Sequence, residues 1–212
     1  MRSVTVEIVS DAICPWCWIG KRHFERASEL LTGQVAVSAV WKPFELNPDM
    51  PKGGVERRAY RLAKFGSLDY SDQLDARVRE KGREAGLEFR HDRMLRTPNT
   101  FDCHRLIRFA LAEGRQSEVV EGLFRAYFTE GRDIGDHAVM ADVAEAAGLE
   151  RGAVAAMLEG DQGAAEVARE LTHARALGIS GVPSFVIGGA PITSGAMPAD
   201  MLAQAIAANG QR

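Results

Sequence analysis

The chain begins with two short segments in which apolar and polar residues alternate. Residues 4–9 have the sequence Val-Thr-Val-Glu-Ile-Val, and residues 34–41 have the sequence Gln-Val-Ala-Val-Ser-Ala-Val-Trp. Alternation with a period of two, together with β-branched residues, is typical of strands. The segment between them, from Trp16 to about Leu31, is compatible with a helix. This part of the chain therefore predicts a βαβ unit with two parallel strands.

From about Gly54 to Leu177 the pattern becomes helical, and glycines and polar turns divide it into predicted helices. Their ranges are 55–65, 70–85, 99–112, 116–129, 137–147, 151–158 and 163–177. Strand character returns over residues 183–187 and, after the turn Gly188-Gly189, over residues 191–194. A final amphipathic helix is predicted over residues 198–208.

A helical block between a βαβ and a ββα segment predicts an α/β fold with a helical domain inserted between its two halves. We expect the N-terminal half of the α/β domain over residues 1–53, the inserted helical domain over 54–177 and the C-terminal half over 178–212. The strands of the two halves must then pair side by side in one sheet.

Composition and charge limit the classes of partner. The chain has 212 residues, is 46% hydrophobic and carries a formal net charge of −3, so it can bury a sizeable core and does not favour nucleic acid. The most basic stretch, Arg57-Arg58 with Arg61 and Lys64, is predicted to be a solvated helix face. There is no secretory signal pattern and no run near the roughly 18 apolar residues of a membrane span. We expect a cytoplasmic protein with no membrane partner, either monomer or homodimer.

The tetrapeptide Cys14-Pro15-Trp16-Cys17 stands where the first strand runs into the first helix. Pro15 suits the first turn of a helix, where its missing N–H has no cost. Two thiols at this spacing can close a disulfide, and the partial positive charge and free N–H groups of the helix start stabilise the outer thiolate. We predict that Cys14 is the exposed attacking thiolate and that Cys17 is the more buried resolving thiol.

A Cys-x-x-Cys pair is also commonly half of a zinc site, and such a site would need two more ligands. The remaining cysteine, Cys103, is followed by His104, and adjacent helical residues point about 100° apart, so they do not easily chelate one metal. We therefore expect no metal and no cofactor beyond the redox-active disulfide. The helical spacing of Cys103 with Leu106 and Ile107 predicts core packing, and a redox role for Cys103 stays open.

Pro183 marks a second signal, far from the cysteines in the sequence. It stands at the start of the returning strand, after Gly181 and Val182. An X–Pro bond is the one place where a cis peptide has a low cost, and we predict one at Pro183. A cis bond would expose the backbone groups of Val182 for strand-like pairing with a bound polypeptide or small thiol.

The ordered motifs resemble the thioredoxin-fold superfamily, more narrowly its DsbA-like branch, and within it the FrnE-like proteins, described as cytoplasmic predicted dithiol–disulfide isomerases. The residues that carry the resemblance are Ser10-Asp11, Cys14-Pro15-Trp16-Cys17, Ile19-Gly20, Phe44-Glu45-Leu46-Asn47-Pro48, Asn99-Thr100-Phe101-Asp102, His104-Arg105, Gly131-Arg132-Asp133-Ile134 and Gly181-Val182-Pro183. Two positions depart from the family pattern, since Cys103 replaces a small residue such as alanine and Met197 replaces glutamine.

The resemblance implies a thioredoxin sheet, a cis-proline loop beside the dithiol and a cleft between sheet and helical domain. It assigns active-site support to Pro15, Trp16, Val182 and Pro183. It also makes Phe44, Asn99 and His104 candidates for lining the cleft. Taken alone, Asn99 is an ordinary helix cap and His104 an ordinary boundary histidine, and both readings stay open.

These features together predict a thiol–disulfide oxidoreductase or isomerase acting on protein or small-molecule thiols and disulfides, with glutathione open as a co-substrate. One alternative is a glutathione-dependent transferase or isomerase of the kappa-class or hydroxychromene-carboxylate isomerase type, which generally has serine where Cys14 stands. The other is a non-enzymatic thioredoxin-like module that binds partners or buffers metal. The direction of electron flow depends on a reduction potential that the residues do not give.

Overall fold

The computed structural model describes residues 2–210. Its strands and helices, in chain order, are β1 (Arg2–Ser10), α1 (Pro15–Leu30), β2 (Val35–Pro43), β3 (Val55–Glu56), α2 (Arg57–Phe65), α3 (Leu68–Glu84), β4 (Arg96–Thr97), α4 (Phe101–Ala112), α5 (Gln116–Phe128), α6 (His137–Ala146), α7 (Arg151–Glu159), α8 (Ala164–Ala176), β5 (Ser184–Ile187), β6 (Ala190–Ser194) and α9 (Ala199–Asn209). A short 3-10 helix, His91–Arg93, precedes β4. None of these helices combines the length and apolar composition that crossing a membrane requires.

The main sheet has four strands in the order β2-β1-β5-β6. β1 runs parallel to β2, from the pair Arg2 and Val35 to the pair Ser10 and Pro43, and antiparallel to β5. β5 and β6 form an antiparallel hairpin. The predicted βαβ unit and the predicted pairing between the two ends of the chain are therefore confirmed.

Side chains of β1 point alternately to the two faces of the sheet and are buried in two different cores. Val6 and Ile8 are fully buried in the larger core, which also contains Phe24 of α1 and Ile206 of α9. Val9 points to the other face, into a smaller core with residues of α8 and β5. Helices thus cover both faces of the sheet, and the end of β1 that leads to Cys14 is held from both sides.

An aromatic cluster packs α1 against the inserted helices, which lie in the sequence between the two halves of the sheet. The Trp18 ring lies 5.2 Å from Phe89 edge to face and stacks on Phe128 at 6.0 Å between centroids. The indole N–H of Trp18 donates to the Glu121 carboxylate at 3.2 Å, and Lys21 and Arg22 pair with the same carboxylate. Because α1 begins at the dithiol, these contacts position the candidate site relative to the helical segment.

The structure differs from the predicted elements in three places. Residues 55–56, predicted as helix, form β3 and pair with β4, with Val55 opposite Thr97. The stretch between α3 and α4 is largely irregular and buries Phe89 and Met94. α4 begins two residues later than predicted, because the Asn99 side chain accepts from the Phe101 N–H and the helix starts only after this bond. Pro43 extends β2 beyond its predicted end, and the edge position of that strand tolerates the missing N–H.

Both ends of the chain contribute to the one sheet, through β1 and β2 and through β5 and β6, while α2 to α8 lie between them in the chain. This is the predicted α/β fold with a helical insertion. The exact domain boundaries at residues 53 and 177 stay predictions.

Candidate active site

The dithiol lies at the start of α1. Cys14 is the N-cap residue in extended conformation, with φ −92° and ψ 110°, and Pro15 is the first helical residue. The Cys14 N–H donates to the Asp11 carbonyl at 3.0 Å, and the Cys17 N–H donates to the Cys14 carbonyl at 3.0 Å. This turn places the two free thiols within one turn of helix, and no acidic side chain lies in that first turn.

The predicted exposure of Cys14 is wrong. Cys14 is only 3% exposed, against 0% for Cys17, because the loop around Val182 covers it. The Cys14 thiol donates to the Val182 carbonyl at 3.5 Å. Cys14 nevertheless lines a cavity, whereas Cys17 does not, so an outside molecule reaches the dithiol only through Cys14.

Burial makes the two thiols chemically unequal. Removal from water, followed by the neighbouring Cys14, raises the pKa of the Cys17 thiol well above its usual value. A thiol with a raised pKa stays protonated and reacts slowly until it loses its proton. Access therefore favours Cys14 as the first nucleophile, and the raised pKa of Cys17 favours Cys17 as the second.

The loop before β5 lies directly against the start of α1. The Val182–Pro183 peptide bond is cis. A Cβ atom at Gly20 would come within 2.8 Å of the Pro183 ring, so the absence of a side chain at Gly20 lets α1 pack on Pro183. Cys14, Pro15, Trp16 and Val182 line one cavity, and Pro183 is buried behind them. The fold thus brings the dithiol motif and the Val182–Pro183 loop together, although they are more than 160 positions apart in the sequence.

Phe44, Asn99 and His104 do not line this cavity. His104 is 3% exposed, with its Nε2 2.9 Å from the Phe44 carbonyl oxygen, and Phe44 packs against the smaller core. The Asn99 side chain donates to the Met50 carbonyl at 2.7 Å and accepts from the Phe101 N–H at 2.9 Å, which is a cap of α4. These three residues are engaged in hydrogen bonds and packing within the protein, so the structure does not bring them into the cavity.

Two acids near the dithiol hold their protons more tightly than usual. Asp11 is fully buried, and its carboxylate accepts from the Leu46 N–H at 2.7 Å. Burial raises the pKa of Asp11 above its usual value, against the opposing effect of His104. Burial, and then the charge of Asp11, raises the pKa of Glu45 from 4.5 to about 7.

We expect the Glu45→Gln variant to gain stability relative to the wild type as the pH rises from 4.5 to 8. The folded protein keeps a proton on Glu45 that the unfolded chain releases near pH 4.5, so Glu45 costs stability progressively between pH 4.5 and pH 7. Because the side chain is partly exposed and solvent screens its charge, we expect about 1 kcal/mol rather than the full linkage value. Urea unfolding of both proteins at pH 4.5 and pH 8 measures this, and an equal difference at the two pH values would contradict it.

The wall opposite the dithiol is basic. The cavity has a volume of about 460 Å³, and α2 contributes Arg57, Arg61 and Lys64 to its lining. The prediction of a solvated helix face is wrong for Arg57 and Arg61, whose side chains are 15% and 16% exposed and share Asp75 at 2.7 Å each. The spacing of residues 57, 61 and 64 on one helix face was the available signal, but the sequence does not show what that face covers.

Cys103 belongs to the core, as predicted. It is 0% exposed, and its thiol donates to the Ile134 carbonyl at 3.1 Å. Burial raises the pKa of this thiol well above its usual value. Within residues 2–210 there is also no group of three or more His, Cys, Asp or Glu side chains placed to hold a metal ion.

Comparisons with known proteins agree with this architecture. The family model of the DSBA-like thioredoxin domain matches residues 5–207. The uncharacterised protein YwbO of Bacillus subtilis is 28% identical over 206 residues, which cover 96% of each chain. The crystal structure of a probable DsbA oxidoreductase from Streptomyces coelicolor has a TM-score of 0.89 and 33% identity, covering 99% of this chain and 91% of that one. A 2-hydroxychromene-2-carboxylate isomerase shares the fold, with a TM-score of 0.71, 17% identity and coverage of 98% and 95%.

Proposed function

We propose, since the chain belongs to the family of DSBA-like thioredoxin domains, that it is a thiol–disulfide oxidoreductase or isomerase whose dithiol is Cys14 and Cys17. One observation carries the proposal. Cys14 is the member of the pair that lines the cavity, with Cys17 buried one helical turn behind it and the Val182 carbonyl beside it. The Streptomyces structure, described as a probable DsbA oxidoreductase, supports the same class of chemistry.

The first step is attack by the Cys14 thiolate on one sulfur of a substrate disulfide. A sulfur–sulfur bond forms between Cys14 and that sulfur, and the other half of the substrate leaves as a thiolate. The start of α1 favours the anionic nucleophile through the partial positive charge of the helix dipole. When Cys14 loses its proton, the Val182 carbonyl loses its donor and becomes free to accept an N–H from the substrate.

The second step is attack by Cys17 on the Cys14 sulfur. It closes the Cys14–Cys17 disulfide and releases the second half of the substrate, so that two electrons pass from the dithiol to the substrate. Because burial raises the pKa of Cys17, this thiol stays protonated while Cys14 reacts. The mixed disulfide therefore persists until Cys17 is deprotonated, and the same steps in reverse oxidise a substrate dithiol.

We expect the Cys17→Ser variant to accumulate a mixed disulfide on Cys14. Without the resolving thiol, the first step proceeds and the second cannot. Incubating the reduced variant with a model disulfide and reading intact and peptide masses should show one added half-substrate per chain, located at residue 14. Cys103→Ala, which also removes one thiol but lies in the core, should resolve as the wild type does. The absence of an adduct on Cys17→Ser, or an adduct on Cys103, would contradict the proposal.

Membership of the FrnE-like subgroup and a cytoplasmic location are parts of the same proposal. Their support is the set of sequence motifs given above, which resembles that subgroup. The two rival functions have distinct outcomes. A glutathione-dependent isomerase would keep conjugation or isomerisation activity after Cys14→Ser, and a binding module would show no disulfide turnover in the wild type.

A further inference from the structure

The cavity in front of Cys14 is enclosed by two different walls. On the dithiol side lie Cys14, Trp16 and Val182, and the far side carries apolar residues such as Phe65 and Val78 next to cationic ones. Its volume of about 460 Å³ is in the range of small-molecule sites. Since Cys14 is 3% exposed at the end of this cavity, a disulfide must enter the cavity to be attacked.

The charge of the lining is opposite in sign to that of the whole chain. Four lining side chains are cationic, Arg57, Arg61, Lys64 and Arg77, and one is acidic, Asp75, whereas the chain carries −3. His91 also lines the cavity, and burial lowers its pKa to about 4, so it adds no positive charge at neutral pH.

The ion pairs inside the cavity leave positive charge uncompensated. Asp75 is shared by Arg57 and Arg61, each at 2.7 Å, so that one carboxylate faces two largely buried guanidinium groups. Lys64 donates hydrogen bonds to the Asn47 amide oxygen and to the Tyr60 hydroxyl. Within residues 2–210, no carboxylate lies within 4.0 Å of its ammonium group. Paired guanidinium groups with spare N–H donors are well suited to bind a carboxylate.

Asn47 provides an independent sign of a missing acceptor. Its Oδ1 accepts from the Tyr60 hydroxyl at 2.6 Å and from Lys64 at 3.2 Å, and because Lys64 can only donate, the other amide atom is the nitrogen. This Nδ2 is buried and has no hydrogen-bond partner within residues 2–210. Asn47 is one of the residues that line the cavity. A buried N–H group without an acceptor is unfavourable, so this part of the cavity wall has more hydrogen-bond donors than acceptors.

We propose, resting on the thiol–disulfide function above, that the substrate is a small disulfide bearing a carboxylate, which Arg57, Arg61 and Lys64 hold in the cavity while Cys14 attacks its sulfur. The enclosed position of Cys14 favours a small molecule over a disulfide on a folded protein surface. In the reaction the dithiol is oxidised to the Cys14–Cys17 disulfide, and the substrate disulfide takes up two electrons and leaves as two thiols.

The test compares three small disulfides that differ in charge. They are dithiodipropionate with two carboxylates, bis(2-hydroxyethyl) disulfide without charge, and cystamine with two ammonium groups. Pre-reduced protein is mixed with each, the reaction is stopped by alkylation, and the rate of Cys14–Cys17 disulfide formation is read from the mass. Each rate is divided by that of dithiothreitol, an uncharged dithiol, with the same disulfide, which removes differences in intrinsic reactivity.

We expect the wild type to prefer the dicarboxylate over the neutral disulfide by about tenfold, and cystamine to react slowest. Arg61→Gln leaves Asp75 paired with Arg57 alone and should abolish most of this preference. Lys64→Gln, at an exposed position, should lower the preference without a risk to folding. Arg26→Gln removes an equal charge from a residue whose side chain is 67% exposed, outside the cavity, and should change nothing.

The outcomes separate this proposal from the function it rests on. Equal normalised rates for all three disulfides would overturn the carboxylate substrate and leave the exchange chemistry standing. Equal effects of Arg26→Gln and Arg61→Gln would overturn it as well, since only the overall charge would matter. Faster reaction with a disulfide in an acidic protein loop than with the dicarboxylate would overturn the small-molecule substrate. No reaction with any disulfide would overturn the proposed function itself.

Discussion

Replacing Cys14 by serine should reduce disulfide turnover to the rate of the reaction without protein. A serine hydroxyl is not ionised near neutral pH and cannot form a disulfide, so the first step has no nucleophile. Cys17 does not substitute for it, because Cys17 is 0% exposed, is absent from the cavity lining and has a raised pKa. The measurement is the steady-state reduction of a model disulfide by the reduced protein in the presence of a regenerating thiol.

The structure offers two checks on this experiment. A serine hydroxyl can take over the hydrogen bond from residue 14 to the Val182 carbonyl, so the free energy of unfolding should change little. Cys103→Ala also removes one thiol but keeps the dithiol, and it should retain most of the turnover. Equal rates for wild type and Cys14→Ser would end the proposed mechanism.

Gly20→Ala should lower turnover by about 10- to 100-fold, although alanine is the better helix former. Alanine gains about 1 kcal/mol of helix propensity over glycine, but its Cβ would lie 2.8 Å from the Pro183 ring. Overpacking of this kind costs about 1–3 kcal/mol and is relieved by moving one partner away. The partner here is the loop that holds the Val182 carbonyl 3.5 Å from the Cys14 sulfur.

We therefore expect a modest loss of stability, up to about 2 kcal/mol, and a larger loss of activity. Gly53→Ala is the matched control, because a Cβ there meets no atom within 4 Å, and it should leave both quantities unchanged. Denaturant unfolding and turnover, measured on the same samples, separate the two effects. Full activity of Gly20→Ala would show that the contact between α1 and Pro183 does not position the site.

The sequence predicted the sheet because its signals are local. The alternation along β1 and β2, the glycine breaks between the helices and the strand at Phe185 each depend on a few neighbouring residues. Each motif has its own local signature, but that the loop at Pro183 lies beside the dithiol was implied only by the resemblance to the thioredoxin fold.

What the sequence could not show depends on long-range packing. The burial of Cys14 follows from the cover provided by Val182, which lies 168 positions away. The basic stretch at Arg57 and Arg61 was indistinguishable from a solvated face until Asp75, on the next helix, was seen between the two guanidinium groups. The strand β3 was missed because its two residues precede a strongly helical segment, and their partner β4 is about 40 residues further along.

The most direct test of the central claim is to equilibrate the protein across glutathione buffers of different ratios, quench with an alkylating agent and read the masses. The account predicts two protein species, one with three alkylated thiols and one with Cys103 alone alkylated after unfolding, interconverting as a single two-electron couple. Independent oxidation of Cys14 and Cys17, or a pair that stays reduced at every glutathione ratio, would contradict it.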